Sequence, residues 1–209
     1  MGRSSAGSDV KMIKAGAALA KAKGLNGFTV RQVCAKSKVN LGMFHYYFAT
    51  KENFDMAVLE NIYSKMIENI KINVFPSVSP KENIRAILIN IQEFIKENRV
   101  LLSSLGGDVL SGNKKTFKFI ADNFTKHAEI LLDELRRAQK SGLLAAPSAF
   151  DAFLLLMPSV ALPQVLLGLL SRLNVTLLGK VKIAALNFML EENASARIDM
   201  LVNMVFKEK

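Results

Sequence analysis

The feature that most constrains the fold of this chain is residues 28–51, which read as two short amphipathic helices with a tight connection. Thr29 suits the N-cap of the first helix, because its hydroxyl can accept a hydrogen bond from an N–H group of the first turn. Asn40 suits the N-cap of the second, in which Phe44 and Phe48 stand four residues apart on one side. The other side carries polar and aromatic residues without an evident role in a core, namely Met43, His45, Tyr46 and Tyr47. A short helix with a free outer face is the shape that enters a DNA major groove.

This segment resembles the helix-turn-helix of the tetracycline-repressor (TetR) family of bacterial transcription regulators. Phe54 stands in place of a Leu in the family pattern, and the positions that match are Thr29, Val33, Val39, Gly42, Tyr46, Phe48, Lys51 and Glu52. The resemblance implies an all-α protein with an N-terminal three-helix DNA-binding head and a C-terminal helical domain for ligand binding and dimerisation. It also implies two partners, a palindromic operator in double-stranded DNA and a second copy of the chain.

Three departures from the family pattern fall inside the motif. Lys38 occupies the position of the usual turn glycine. A non-glycine residue with positive φ costs about 1 kcal/mol or more, so either the turn differs or Lys38 carries that cost. Met43 replaces a Thr and His45 replaces the first residue of a Tyr pair, both on the face predicted to meet DNA. The operator of this protein therefore cannot be inferred from a relative.

The charge distribution favours a nucleic-acid partner independently of the motif. Residues 1–54 hold nine Lys and Arg residues against two acidic ones, so +7 of the formal net charge of +10 lies in the first quarter of the chain. A basic field at one end suits a polyanion, because contacts with phosphates release counterions. A surface that is merely solubilising mixes both signs.

The helical patterns divide the chain into a DNA-binding domain at 1–54, with its motif at about 29–48, and an effector-binding and dimerisation domain at 55–209. A helix from residue 50 to about 74 would join them, since Thr50 is a capping residue and Pro76 disfavours helix just before it. From residue 81 onward the apolar spacing is helical throughout, and no segment alternates with period two for long enough to suggest a sheet.

Residues 152–171 carry no charge, which leaves two interpretations. Their length would span a bilayer, and a membrane-tethered regulator would follow. A helix that is apolar on all sides is also typical of one buried between its own core and a second subunit. Because the segment contains Pro158, Pro163 and Gln164, we expect no membrane insertion. In the resembled family, the last two helices pair with their symmetry mates. By this resemblance we expect a homodimer through about 150–206.

The sequence offers no constellation for catalysis, so we expect no enzyme, no cofactor and no metal site. With two His and one Cys, zinc sites of the usual His/Cys spacing are excluded. No P-loop and no Gly-x-Ser-x-Gly elbow occur. The single Cys34 fits a reducing cytoplasm, and His127 reads as a surface or hydrogen-bonded residue with pocket lining as the alternative.

Specific roles can be assigned within the predicted DNA-binding set. Thr29 and Lys51 stand at helix starts, which favour phosphate oxygens. By resemblance Arg31 can reach a guanine edge, with a phosphate contact as the alternative. Met43 can contact a thymine methyl group, and Gly42 allows close approach to the DNA backbone. The remaining members are polar, flanking or partly structural contacts: Asn40, Leu41, His45, Tyr46 and Tyr47.

The second domain has the apolar composition of an effector site, although each candidate could equally be plain core. The predicted lining residues are Phe94, Leu105, Phe117, Phe124, Met157 and Val160. The sequence therefore predicts a cytoplasmic repressor that leaves a palindromic operator when a small apolar or amphipathic effector binds. The alternative is an architectural or nucleoid-associated DNA-binding protein of the same fold without an effector.

Overall fold

Three short helices at the N-terminal end pack against one another and form the head, namely α1 (Ser8–Lys23), α2 (Val30–Ser37) and α3 (Leu41–Phe48). A 3-10 turn, Leu25–Gly27, joins α1 to α2. The computed structural model of the protein describes residues 7–170, 176–177, 181–182 and 192–207. The pattern of α3 predicted that Phe44 and Phe48 are buried. Both lie in the core of the head, where they are 0% and 9% exposed.

The remaining elements are also helical, which confirms the all-α prediction. They are α4 (Lys51–Ile72), α5 (Pro80–Glu97), α6 (Arg99–Leu110), α7 (Lys114–Lys140), α8 (Ala149–Leu170) and α9 (Ala194–Val205). One small feature was not predicted, a ribbon in which β1 (Thr176–Leu177) pairs with β2 (Val181–Lys182) in antiparallel register. With two residues on each side, it is too short for period-two alternation to be visible in the sequence.

Local capping residues fix where several helices begin. The Thr50 hydroxyl accepts from Asn53 N–H at 3.1 Å, as the sequence predicted for the start of α4. Ser79 caps α5 and precedes Pro80, whose missing N–H costs nothing in the first turn. Ser148 caps α8 by accepting from the backbone N–H of Asp151 at 3.1 Å. These starts depend on neighbours a few residues away, and the sequence therefore contains most of the information that sets them.

By chain contacts the described residues divide into two compact units. The first unit contains the chain up to Lys65 together with Val100–Phe119, and the second contains Met66–Arg99 and the chain from Ile120 onward. The sequence assigned everything after residue 54 to a second domain, whereas α6 packs with the head. The physical reason lies in contacts that are distant in sequence, such as the 2.8 Å hydrogen bond from the Asn26 amide to the Asp108 carboxylate.

Two glycines allow close packing in the first unit. A Cβ at Gly16 of α1 would lie 2.4 Å from the Phe54 ring and 2.7 Å from a Val58 methyl group on α4. Gly24 ends α1 with φ +74°, and a Cβ there would lie 2.7 Å from Cβ of Ser104 on α6. Both positions therefore exclude any larger side chain unless the neighbouring helix moves.

Helices α5, α8 and α9 pack together in the second unit. Arg85 of α5 pairs with the Asp199 carboxylate and donates to the Ser195 hydroxyl at 2.8 Å, which ties α5 to α9. The segment after α7 is held to the end of α9 by backbone bonds, among them Ala145 N–H to Val205 O at 2.9 Å. These contacts fix the geometry of the three helices that surround the cavity described below.

Candidate nucleic-acid interface

The start of α2 is organised by a reciprocal capping box. Gln32 N–H donates to the Thr29 hydroxyl oxygen at 3.3 Å, and Thr29 N–H donates to Gln32 Oε1 at 3.0 Å. The cap that the sequence predicted at Thr29 is confirmed. Thr29 and Arg31 are both exposed at this helix start. The arrangement leaves the Thr29 hydroxyl proton and the positive helix end available to an anion.

The turn between α2 and α3 is tight because Lys38 adopts a left-handed conformation with φ 57° and ψ 36°. Its backbone N–H bonds to Ala35 O at 3.4 Å, and Val39 N–H bonds to Cys34 O at 3.1 Å. Lys38 therefore adopts the left-handed conformation that the glycine of the family pattern would adopt, at a conformational cost of about 1 kcal/mol.

Helix α3 has one buried face and one free face. Asn40 caps it by accepting from Met43 N–H at 2.9 Å, which confirms the predicted cap. On the free face Tyr46 is 79% exposed and Leu41 is 45% exposed, whereas Phe44 on the opposite face is fully buried. Of the other predicted contacts, Asn40, Gly42 and His45 are exposed, and Met43 and Tyr47 are half-buried. This exposed ridge is suited to insertion into a groove.

The C-terminal end of α3 is fixed by His45. Its Nδ1 lies 3.2 Å from Ala49 O, and Ala49 N–H donates to His45 O at 3.0 Å. Ala49 has a positive φ of 59°, a strained conformation that the sequence analysis did not predict. Since Nδ1 donates to Ala49 O, the other ring nitrogen, Nε2, points away from this hydrogen bond and is the ring atom that can contact a ligand.

Lys51 has a different environment from the one that its position suggested. Its Nζ donates to Leu25 O at 2.9 Å and to the Asp55 carboxylate, and it lies 4.2 Å from the Phe28 ring centroid. The amine therefore joins the 3-10 turn to α4. This geometry argues against the phosphate contact predicted for Lys51, because a contact with DNA would have to compete with three existing interactions.

Asp55 is the buried partner of this amine, and it is 9% exposed. Burial raises the pKa of the Asp55 carboxyl, and the hydrogen bond and charge of Lys51 oppose that rise. Nearby, Lys115 at the start of α7 pairs with Glu52 at 2.7 Å. The first turn of α4 is thus held from two sides by ion pairs within the first unit.

The predicted effector-site residues do not share one environment. Leu105 is buried and Phe117 is 60% exposed, and both belong to the first unit. Phe94, Met157 and Val160 belong to the second, where Val160 lines a cavity among α5, α8 and α9. The side chain of Phe124 lies outside the described residues. Phe117 is exposed because the buried stripe of α7 runs through Thr116, Phe119, Asn123 and His127 instead.

His127 is a buried, hydrogen-bonded residue of α7. It is 5% exposed, and burial lowers its pKa to about 4 despite a hydrogen bond to the backbone of Asn123. It therefore stays neutral at pH 7. Among the described residues, no group of three or more His, Cys, Asp or Glu could hold a metal ion.

Helix α8 contains a stretch, Ala149–Leu166, that is long and apolar enough to cross a membrane by length and composition, and 39% of it is buried. Several large apolar side chains on α8 and α9 remain exposed in the single chain: Phe150, Leu154, Leu155, Leu162, Leu166, Met200 and Met204. Parts of the predicted dimer segment, residues 171–175, 178–180 and 183–191, lie outside the described residues.

The capped helix pair matches a known domain. Residues 12–54 match the family model of bacterial regulatory proteins of the tetR family. The head is therefore a tetR-family domain. It is a helix-turn-helix DNA-binding domain of the type that these bacterial regulatory proteins carry. A comparison with curated proteins finds no significant match.

Solved tetR-family structures share the fold over nearly the whole chain. A TetR-family transcriptional regulator from Rhodococcus sp. is 14% identical with a TM-score of 0.70, and the match covers 95% of this chain and 98% of that one. Reduced NemR of E. coli is 14% identical, with coverage of 97% and 98% and a TM-score of 0.69. Bacillus subtilis FadR in complex with stearoyl-CoA is 15% identical, with coverage of 94% and 98% and a TM-score of 0.65.

Several residues that organise these sites were not predicted from the sequence. The partner of Lys51 on α4 could have been found, since Asp55 follows it by four residues. The bond from Lys51 to Leu25 O and the bond from Asn26 to Asp108 carry no sequence signal, because they join residues 26 and 82 positions apart. In the sequence Gln164 is a polar residue that interrupts an apolar segment, whereas in the structure its side chain is buried in α8.

Proposed function

We propose that this tetR-family protein is a homodimeric repressor that binds a palindromic duplex operator and is released by a small apolar or amphipathic effector. The observation that carries the proposal is the free face of α3, on which Tyr46 and Leu41 are exposed above a fully buried Phe44. Cytoplasmic action follows from this role, since the operator is genomic DNA.

The contacts of each head with DNA can be divided by chemistry. Thr29 and the exposed N-terminus of α2 would hold a phosphate, and Arg31 beside them would reach a guanine edge with its planar fork. Leu41 and Met43 would contact thymine methyl groups, and His45 Nε2 with the Tyr46 hydroxyl would supply polar contacts. Asn40, Gly42 and Tyr47 complete the proposed interface. The +7 charge of residues 1–54 would add a strong dependence on salt.

The dimer would bury the exposed apolar side chains of α8 and α9. Leu162 and Met204 are 62% and 60% exposed, although they lie on helices whose other faces are buried. A second copy of the chain is the partner that gives a palindromic site two equivalent heads. The two copies of α3 must then lie about 34–36 Å apart, or a multiple of that distance, to enter successive major grooves.

Effector control is supported by the fold and by one of its relatives. The FadR structure of this fold holds stearoyl-CoA, so a helical body of this type can accept an amphipathic ligand. The second unit of this chain has a cavity among α5, α8 and α9. A ligand can shift DNA affinity only if it binds the competent and incompetent conformations with different affinities.

Selection from a random duplex library, followed by sedimentation of the complex, tests this function. We expect a near-palindromic consensus and two chains per site, with affinity that falls steeply as salt rises. Recovery of sequences without a consensus would favour the architectural alternative. A consensus bound by a monomer would contradict the paired-head arrangement but leave specific recognition in place.

A further inference from the structure

The imidazole ring of His45 is held in one orientation at the C-terminal end of α3. Its Nδ1 lies 3.2 Å from Ala49 O. The ring also packs nearly at a right angle to the buried Phe44 ring, with a centroid separation of 5.7 Å and an interplanar angle of 87°. His45 is exposed to solvent, yet these two contacts fix the direction of its ring.

The carbonyl that binds this ring belongs to a strained residue. Ala49 has φ 59° and ψ −51°, and Thr50 N–H donates to Phe48 O across it at 2.6 Å. This is a γ-turn with positive φ, a form that is rare and strained. Strained backbone of this kind clusters at functional sites, where it is part of the mechanism. A strained turn that also orients an exposed ring on α3 indicates that the direction of the ring matters.

The hydrogen bond determines which ring nitrogen of His45 carries the proton. A carbonyl oxygen only accepts, so Nδ1 is the donor in the bond with Ala49 O. In a neutral imidazole the other nitrogen then carries no hydrogen and is an acceptor. Within the described part of the chain, Nε2 of His45 forms no hydrogen bond. The exposed edge of the ring therefore presents an acceptor to a ligand.

An unprotonated nitrogen restricts what this ring can contact in DNA. Phosphate oxygens, guanine N7 and O6 and thymine O4 are acceptors themselves, and they cannot form a hydrogen bond with Nε2. The donors in the major groove are the exocyclic amines, N6 of adenine and N4 of cytosine. On the strand that the ring faces, adenine and cytosine therefore offer a partner, whereas guanine and thymine do not.

We propose that His45 is a specificity-determining residue whose Nε2 accepts a hydrogen bond from the exocyclic amine of an adenine or a cytosine in the operator. It selects these two bases over guanine and thymine at one position of each half-site. The inference rests on the proposed function, because it requires α3 to lie in a major groove. A purely structural role at the end of α3 would use Nδ1 alone and would leave base preference unaffected.

Nitrogen NMR of the full-length protein tests the tautomer without DNA. The chain has two His residues, so the imidazole signals that disappear in His45→Phe belong to His45. At pH 8, where histidine side chains are ordinarily neutral, these signals should show a protonated Nδ1 and an unprotonated Nε2. The opposite tautomer would overturn the proposal, even if the protein binds an operator.

Operators with modified bases test the contact itself. After selection of an operator, each adenine in turn is replaced by purine and each cytosine by pyrimidin-2-one, which lack the amine. At one position of each half-site, this change should lower the affinity of the wild-type protein about three- to tenfold, the contribution of one neutral hydrogen bond. His45→Phe keeps a ring without an acceptor, so it should bind the modified and unmodified duplexes equally at that position. Tyr46→Phe, the matched control at an exposed neighbour, should retain the wild-type loss.

The possible outcomes separate this inference from the proposed function. If no operator is selected, the proposed function fails and the base contact fails with it. If an operator is selected but His45→Phe and the wild-type protein lose the same affinity on every modified duplex, specific binding stands and the base contact is refuted. His45→Leu, which also lacks an acceptor, takes the place of His45→Phe if that variant does not fold.

Discussion

The amine of Lys51 lies 2.8 and 2.9 Å from the two carboxylate oxygens of Asp55, one helical turn further along α4. The same amine donates to Leu25 O, so one cation satisfies a buried carboxylate and closes the 3-10 turn that precedes α2. Burial of Asp55 opposes its ionisation, and Lys51 offsets part of that cost. The relationship makes Lys51 a structural residue of the head.

Lys51→Met should therefore lower the free energy of unfolding at pH 7 by about 1–3 kcal/mol, the usual cost of leaving a buried polar group without its partner. Because the folded pKa of Asp55 is raised, protonation favours the folded state, and the deficit should shrink as the pH falls through that pKa. Urea denaturation at neutral and acid pH measures both effects. The exposed Lys11→Met is the charge control and should change stability little. If the dependence of DNA affinity on salt falls by about one unit of slope in Lys51→Met but not in Lys11→Met, Lys51 contacts a phosphate after all.

Arg31→Ala should weaken binding to the preferred operator by about 1–3 kcal/mol and relax selectivity at one base pair, since a bidentate contact to guanine is lost. Arg31 is exposed in the first turn of α2, beside the Thr29 cap. Lys36→Ala, in the last turn of the same helix, is the control and should cost less without any change of consensus. Equal losses on operator and random duplexes would reduce Arg31 to a phosphate contact.

Gly16→Ala should destabilise the protein even though alanine is the better helix former. The gain in helix propensity is about 1 kcal/mol, whereas overpacking costs about 1–3 kcal/mol. The added Cβ would meet the buried Phe54 ring at 2.4 Å. Gly106→Ala in α6 has nothing within 4 Å of its Cβ and should gain stability. Chemical denaturation of both variants measures the difference, and a gain at both positions would show that α1 and α4 can separate at little cost.

His127 should make the protein less stable in mild acid. Its folded pKa is about 4, below the unfolded value of about 6.5. The folded state therefore binds fewer protons in this range, and stability is lost as the pH falls from about 6.5 to about 4, by roughly 3 kcal/mol at most. His127→Gln should give a flatter profile between these limits. Denaturation at half-unit intervals of pH tests the slope, and parallel profiles for the two proteins would exclude His127 as its source.

Leu162→Glu should convert the proposed dimer into a monomer, because a charge would replace an apolar side chain that is 62% exposed in the single chain and that the proposed dimer would bury. Sedimentation at micromolar concentration measures the change, and operator affinity should fall with it. Lys140→Glu, on the last turn of α7, is the control and should remain dimeric. A wild-type monomer under the same conditions would refute the dimer itself.

The elements that the sequence predicted well are those fixed by near neighbours. The caps at Thr29, Asn40 and Thr50 each depend on a backbone group three residues away. The strained turn at Lys38 could also be located, because the motif requires a left-handed residue there. By contrast, the exposure of Phe117 could not be inferred, since the apolar spacing of α7 fits two faces and only the tertiary contacts select one.

The environment of Lys51 illustrates why a binding surface is harder to predict than a fold. A lysine at the start of a helix near a basic motif suits a phosphate as well as it suits a carboxylate. Leu25 O decides between these roles, and it lies 26 residues away in sequence. The same applies to Gln164, because the sequence shows an amide in an apolar stretch but does not show which neighbours leave its oxygen unpartnered.

Helix α6 has a consequence for how this protein could be divided or recombined. The chain leaves the first unit after Lys65 and returns to it at Val100. A fragment ending at Lys65 would therefore lack the Asp108 partner of Asn26 and the surface against which Gly24 packs. Joining the first unit of this chain to the second unit of another regulator requires three junctions, after Lys65, before Val100 and after Phe119, since the first unit is not contiguous in sequence. A chimaera of two regulators should fold only when the head and α6 come from the same protein.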